Sequence, residues 1–149
     1  MRLLRLFVCL LPVITLAGCD EKLSDLTGPT PNLTPTFASI QKEIFATTDS
    51  SGRTACINCH VAGGAANGTG LFLNDPATAY SLLVGKASRF AAGQTLVIPG
   101  DPDNSYLVKK LEGAAGITGL RMPRNTGPFL TPGQMLVIRR WIQEGAANN

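Results

Sequence analysis

The stretch "TACINCHVAG", residues 54–63, sets Cys56 and Cys59 three positions apart, with His60 directly after the second cysteine. Three chemistries use such residues: covalent attachment of haem, coordination of zinc, and thiol–disulfide exchange. Haem attachment accounts for the whole spacing. Two thioethers must reach vinyl groups on neighbouring pyrroles, and a histidine beside the second cysteine then lies under the iron. Zinc wants four ligands. His60 is the only histidine, and the other two cysteines, Cys9 and Cys19, fall in an N-terminal export segment, so a zinc site would stop at three. A redox dithiol belongs at a strand-to-helix junction, whereas this motif follows a helical stretch and the loop "TDSSGR". Haem is the favoured occupant.

With one histidine in the chain, a second histidine ligand is excluded. The sixth position on iron then falls to methionine, to a rarer ligand, or to nothing. Met1 leaves with the export signal, so Met122 and Met135 remain. Met135 lies on the inward stripe of a helix, where core filling suits it. Met122 sits in "GLRMPRNTGP", a loop that can aim a sulfur at a metal, and it is the preferred distal ligand. Arg121 and Arg124 flank it and are candidate partners for haem propionates, or simply solvated loop arginines.

Four short helices can position these groups. "TFASIQKEIFAT" places Phe37, Ile40, Ile44 and Phe45 on one stripe, with Thr36 as N-cap. "DPATAYSLLVG" opens at Asp75-Pro76 and closes at Gly85, and "DPDNSYLVKKLEG" repeats that pattern from Asp101-Pro102 to Gly113. "TPGQMLVIRRWIQEGA" starts at Thr131-Pro132 and turns Met135, Ile138, Trp141 and Ile142 inward. No stretch alternates as a strand. The expected fold is all-α, about four short helices with long Gly-rich loops around one covalently bound haem. Such a modest core gains from a buried apolar cofactor.

The N-terminus reads as an export device. Arg2 and Arg5 precede a 13-residue uncharged run, Leu6 to Gly18, too short to span a membrane. "LAGC" at residues 16–19 resembles a bacterial lipobox, which implies cleavage before Cys19 and acylation of that cysteine. Residues 1–18 are then a lipoprotein signal peptide, 19–35 the lipidated Cys19 with a Pro/Thr-rich tether, and 36–149 the functional domain. Two or more acyl chains give stable anchoring. Asp20-Glu21 slightly favours the inner membrane over the outer, by the enterobacterial sorting pattern. The 13 basic residues less Arg2 and Arg5 leave 11 against 10 acidic ones, so no nucleic-acid footprint is present.

A helix, the Cys56–His60 motif, a late Met122-Pro123 loop and a final helix resemble the class I (mitochondrial-type) c-type cytochrome domain, of the small kind found in bacterial lipoproteins. The supporting stretches are "VIPGDPDNSYLVKKLEG", "RMP" and "LTPGQMLVIRRWIQEGA", and the resemblance covers roughly residues 37–149. It implies His60 as proximal and Met122 as distal ligand. It also implies first and last helices crossing at an aromatic contact, with Ile40, Ile44 and Phe45 meeting Ile138, Trp141 and Ile142. The family often hydrogen-bonds the proximal histidine to a proline carbonyl; Pro99 is preferred here to Pro76. The implied function is a monohaem electron carrier rather than an enzyme, facing the periplasm on its lipid anchor and serving membrane-associated redox proteins. The alternative is a haem-based gas sensor or peroxidase-like protein with an open distal site, in which Arg121 or Arg124 replaces the missing distal histidine. A docking module nucleated by haem is a third reading.

Overall fold

In a computed structural model, the structure describes residues 32–124 and 127–149. The expected signal peptide, the expected lipidation site Cys19 and most of the expected tether lie outside the described residues. Among these residues the architecture is helical, with isolated bridges but no strand. Helix α1, Phe37–Ile40, runs on as a π-helical turn, Gln41–Phe45; α2 is Pro76–Leu83, α3 Tyr106–Glu112 and α4 Pro132–Gln143. Single 3₁₀ turns occupy Cys56–Asn58 and Asn67–Thr69. No helix among the described residues is long and apolar enough to cross a membrane.

Two helices begin where their capping residues place them. The Asp75 side chain accepts from the Thr78 amide at 2.8 Å, with Pro76 in the first turn of α2. Thr131 and Gln134 form a reciprocal capping box at the start of α4, next to Pro132. The same Asp-Pro signal misleads at Asp101. Its amide donates to Ile98, its carboxylate takes the Asn104 amide at 3.1 Å, and its carbonyl takes the Ser105 hydroxyl at 2.7 Å. Those local bonds compete with a helical turn, so α3 starts only at Tyr106.

The core lies between the ends of the domain. All four residues of the α1 stripe, Phe37, Ile40, Ile44 and Phe45, are buried in one cluster with Ile138, Trp141 and Ile142 of α4. The aromatic contact of the two helices is made by Phe37, not Phe45. The rings of Phe37 and Trp141 lie 5.5 Å apart, and Tyr80 of α2 meets Phe37 edge-on at 5.2 Å. The polar ends of these aromatics are satisfied: Trp141 Nε1 donates to the Ala147 carbonyl and Tyr80 Oη to that of Ala146. Leu33 is buried in the same cluster, so the packed domain begins before residue 36 and the last residues of the expected tether belong to it.

Candidate functional site

The segment entering the cysteine motif is held by a buried cation. Arg53 is fully buried. Its Nε donates to Asp49 at 2.9 Å, Nη1 to the Ile44 carbonyl at 3.0 Å, and Nη2 to the Thr47 carbonyl at 3.2 Å. It thereby takes up carbonyls left over at the end of α1, which a helix terminus must place somewhere. Burial raises the Asp49 pKa, but hydrogen bonds from Ser51 and Gln134 and the Arg53 charge outweigh it and leave the carboxyl below its ordinary value. Cys56 follows, its sulfur 3.8 Å from the Ile44 carbonyl that Arg53 also holds.

The 3₁₀ turn at Cys56 brings His60 round, with the His60 amide on the Cys56 carbonyl at 2.9 Å. Gly64 is required here, since a Cβ on it would fall 2.5 Å from the Cys59 carbonyl oxygen. Both Cys56 and Cys59 are free and partly buried. Burial pushes the Cys56 thiol up to about 11, with Arg53 pulling partly back, so it is protonated at neutral pH and ill suited to thiolate exchange. His60 Nδ1 lies 3.2 Å from the Leu71 carbonyl. Burial lowers the His60 pKa, partly offset by that carbonyl, and the ring is neutral at pH 7. The imidazole partner is therefore Leu71. Pro99 is exposed and Pro76 lies in the first turn of α2, and neither expected proline carbonyl takes that place. A 3₁₀ turn ending at left-handed Gly70 presents the Leu71 carbonyl instead.

Met122 arrives on a loop fastened to α3. Its amide donates to the Lys110 carbonyl at 2.9 Å, the Thr118 amide to Tyr106 Oη at 2.8 Å, and Lys110 Nζ to the carbonyls of Thr118 and Leu120. The structure separates the two flanking arginines. Arg121 donates to the Leu111 carbonyl at 2.8 Å and stacks on Phe129 at 3.8 Å, off the cavity wall, whereas Arg124 lies on it.

His60 and Met122 share a cavity of about 700 Å³, walled also by Cys56, Leu71, Tyr106 and Leu107. A second cavity of about 350 Å³ shares Cys56, His60, Met122 and Arg124 with it and reaches Cys59. The volume falls in the range of about 300–1,000 Å³ typical of cofactor sites. Met135 lines neither cavity; it is buried in the core. An apolar enclosure with an imidazole, a thioether and two thiols on its walls fits a covalently held haem. Among the described residues no three His, Cys, Asp or Glu side chains gather as a metal-binding group.

Lys86 and Arg89 also line the larger cavity. The sequence carries no signal for their place, which depends on pairing of residues 84–88 with 94–97, the Ala87–Thr95 bridge included. No family model matches the chain, and neither a curated protein nor a solved structure matches it.

Proposed function

We propose that the chain is a monohaem c-type cytochrome, a lipid-anchored electron carrier whose iron is held by His60 and Met122. The observation that carries this reading is the meeting of His60 and Met122 on one apolar cavity, with Cys56 on the same wall and Cys59 on the adjoining one. Haem bound there would supply a one-electron iron couple, which methionine ligation shifts toward higher potential. Cys56 and Cys59 would carry the two thioethers. With its Nδ1 proton bound to Leu71, His60 would have the lone pair of Nε2 free to hold the iron. Met122, fixed to α3 through its amide, would supply the thioether sulfur as the other ligand. The apolar walls, Leu107 and Leu71 among them, exclude water and limit reorganisation. Acylation at Cys19 would confine the domain near the membrane and raise its effective concentration for membrane-bound redox partners.

The test is the absorption spectrum of the mature protein, oxidised and reduced, with carbon monoxide added to the reduced form. A low-spin spectrum, a weak long-wavelength sulfur-to-iron band and no response to the gas are expected. A high-spin spectrum with ready gas binding would sink the carrier reading and favour a sensor or peroxidase-like role.

A further inference from the structure

We infer that Lys86 and Arg89 form a carboxylate-binding corner of the cavity and hold the two propionates of the haem, an assignment that rests on the haem reading. It follows from charge accounting. Residues 32–149 carry ten Lys and Arg against seven Asp and Glu. Every acidic side chain is engaged away from the cavity. Asp49 pairs with Arg53, Asp103 and Glu112 with Arg139, Glu144 with Arg140 and Glu43 with Lys42, while Asp75 and Asp101 hold local amides.

Most cations are engaged as well. Lys109 donates to Gln94, Lys110 to two carbonyls and Arg121 to Leu111. Among the described residues Lys86, Arg89 and Arg124 have no ion pair and no side-chain hydrogen bond, and all three line the larger cavity. Its wall bears no acidic residue. An apolar enclosure with unpaired cations on its wall suits a ligand with an apolar body and anionic ends.

Lys86 and Arg89 are favoured over Arg124 because they share one pinned turn. The Leu96 amide donates to the Lys86 carbonyl at 2.7 Å and the Ser88 amide to the Gln94 carbonyl at 2.8 Å. The turn lies against the segment that serves His60: Arg89 Nη1 is 3.5 Å from where a Cβ on Gly70 would stand, beside Leu71. Two cations three positions apart match two carboxylates on one edge of a macrocycle. Exposed ion pairs contribute little affinity, so the effect is read in the iron couple.

Removing both positive charges favours the oxidised form and lets the carboxylates titrate nearer neutrality. The holo double variant Lys86→Gln/Arg89→Gln should lower the reduced-to-oxidised ratio at fixed potential about tenfold, ~59 mV for one electron. A pH dependence of the potential should appear between about pH 5 and 8 where the parent is flat, because carboxyls left against an apolar wall without their cations are pushed above ordinary carboxylate values. Lys86→Arg/Arg89→Lys, keeping both charges, should restore the parent behaviour, and Arg124→Gln should shift the couple less. A double variant with attached low-spin haem and an unchanged potential and pH profile would overturn the assignment and leave the carrier reading standing. So would a shift carried wholly by Arg124. A parent chain that attaches no haem would overturn both.

Discussion

His60 Nδ1 and the Leu71 carbonyl oxygen lie 3.2 Å apart, and because a carbonyl only accepts, the ring proton is fixed on Nδ1. The lone pair of the imidazole is thereby assigned to Nε2 before any ligand arrives. A bond of this kind orients a metal-binding histidine and strengthens it as a donor, and would do so for His60 in the ligand role proposed above; a turn of backbone supplies it.

Thr69 fixes that turn, its hydroxyl accepting from the Leu71 amide at 3.1 Å and donating to the Ala66 carbonyl at 2.7 Å. Thr69→Val keeps the shape and removes both bonds. A drifting Leu71 carbonyl leaves the imidazole a weaker donor, so the oxidised iron loses stabilisation and the midpoint potential should rise. Redox titration checks this; an unchanged or lowered potential would show that Leu71 does not tune the ligand.

The two methionines should separate cleanly. Met122→Ala should abolish the sulfur-to-iron band and admit carbon monoxide. Met135→Ala should keep the band and lose about 2–5 kcal/mol of stability through a core cavity. Spectra and urea unfolding of both variants decide it.

Arg53→Met leaves the Asp49 carboxylate without its cation and should cost about 3–5 kcal/mol, as breaking a buried pair does. The folded Asp49 pKa lies below its ordinary 3.8. Its contribution is therefore complete above that value and lost as pH falls through the lower folded one. Unfolding free energies followed from pH 5 to 2 should show this acid loss, reduced in Asp49→Asn. An identical acid limb in that variant would rule Asp49 out as its source.

Phe37→Ala should cost about 3–5 kcal/mol, because one ring meets both Trp141 and Tyr80. Phe45→Ala, which also opens the cavity wall, should in addition alter the haem spectrum. Denaturation and absorption measured together distinguish the two.

The helices were legible where the signal is local. Asp75-Pro76 and Thr131-Pro132 place their starts, and the apolar spacing of Phe37, Ile40 and Ile44 places the buried face of α1. Asp101-Pro102 carries the same letters, yet its bonds to Asn104 and Ser105 turn the chain before α3 can begin. The Leu71 carbonyl could not be read, because every residue has a carbonyl and only the folded turn aims one. Arg121 and Arg124 look alike in sequence, but Leu111 and Phe129 draw one of them off the wall. Sequence supplies the reactive side chains, while their partners come from backbone placed by tertiary contacts.

Trp141 is the chain's only tryptophan, and its indole is seated between the first and last helices with Nε1 on the Ala147 carbonyl. A single tryptophan fluorophore thus sits where the two ends of the domain close. Its emission should be dim in the holo chain, since a haem in the neighbouring cavity accepts its excitation energy, and should brighten as the ends part. One wavelength would then report both occupancy of the cavity and closure of the domain.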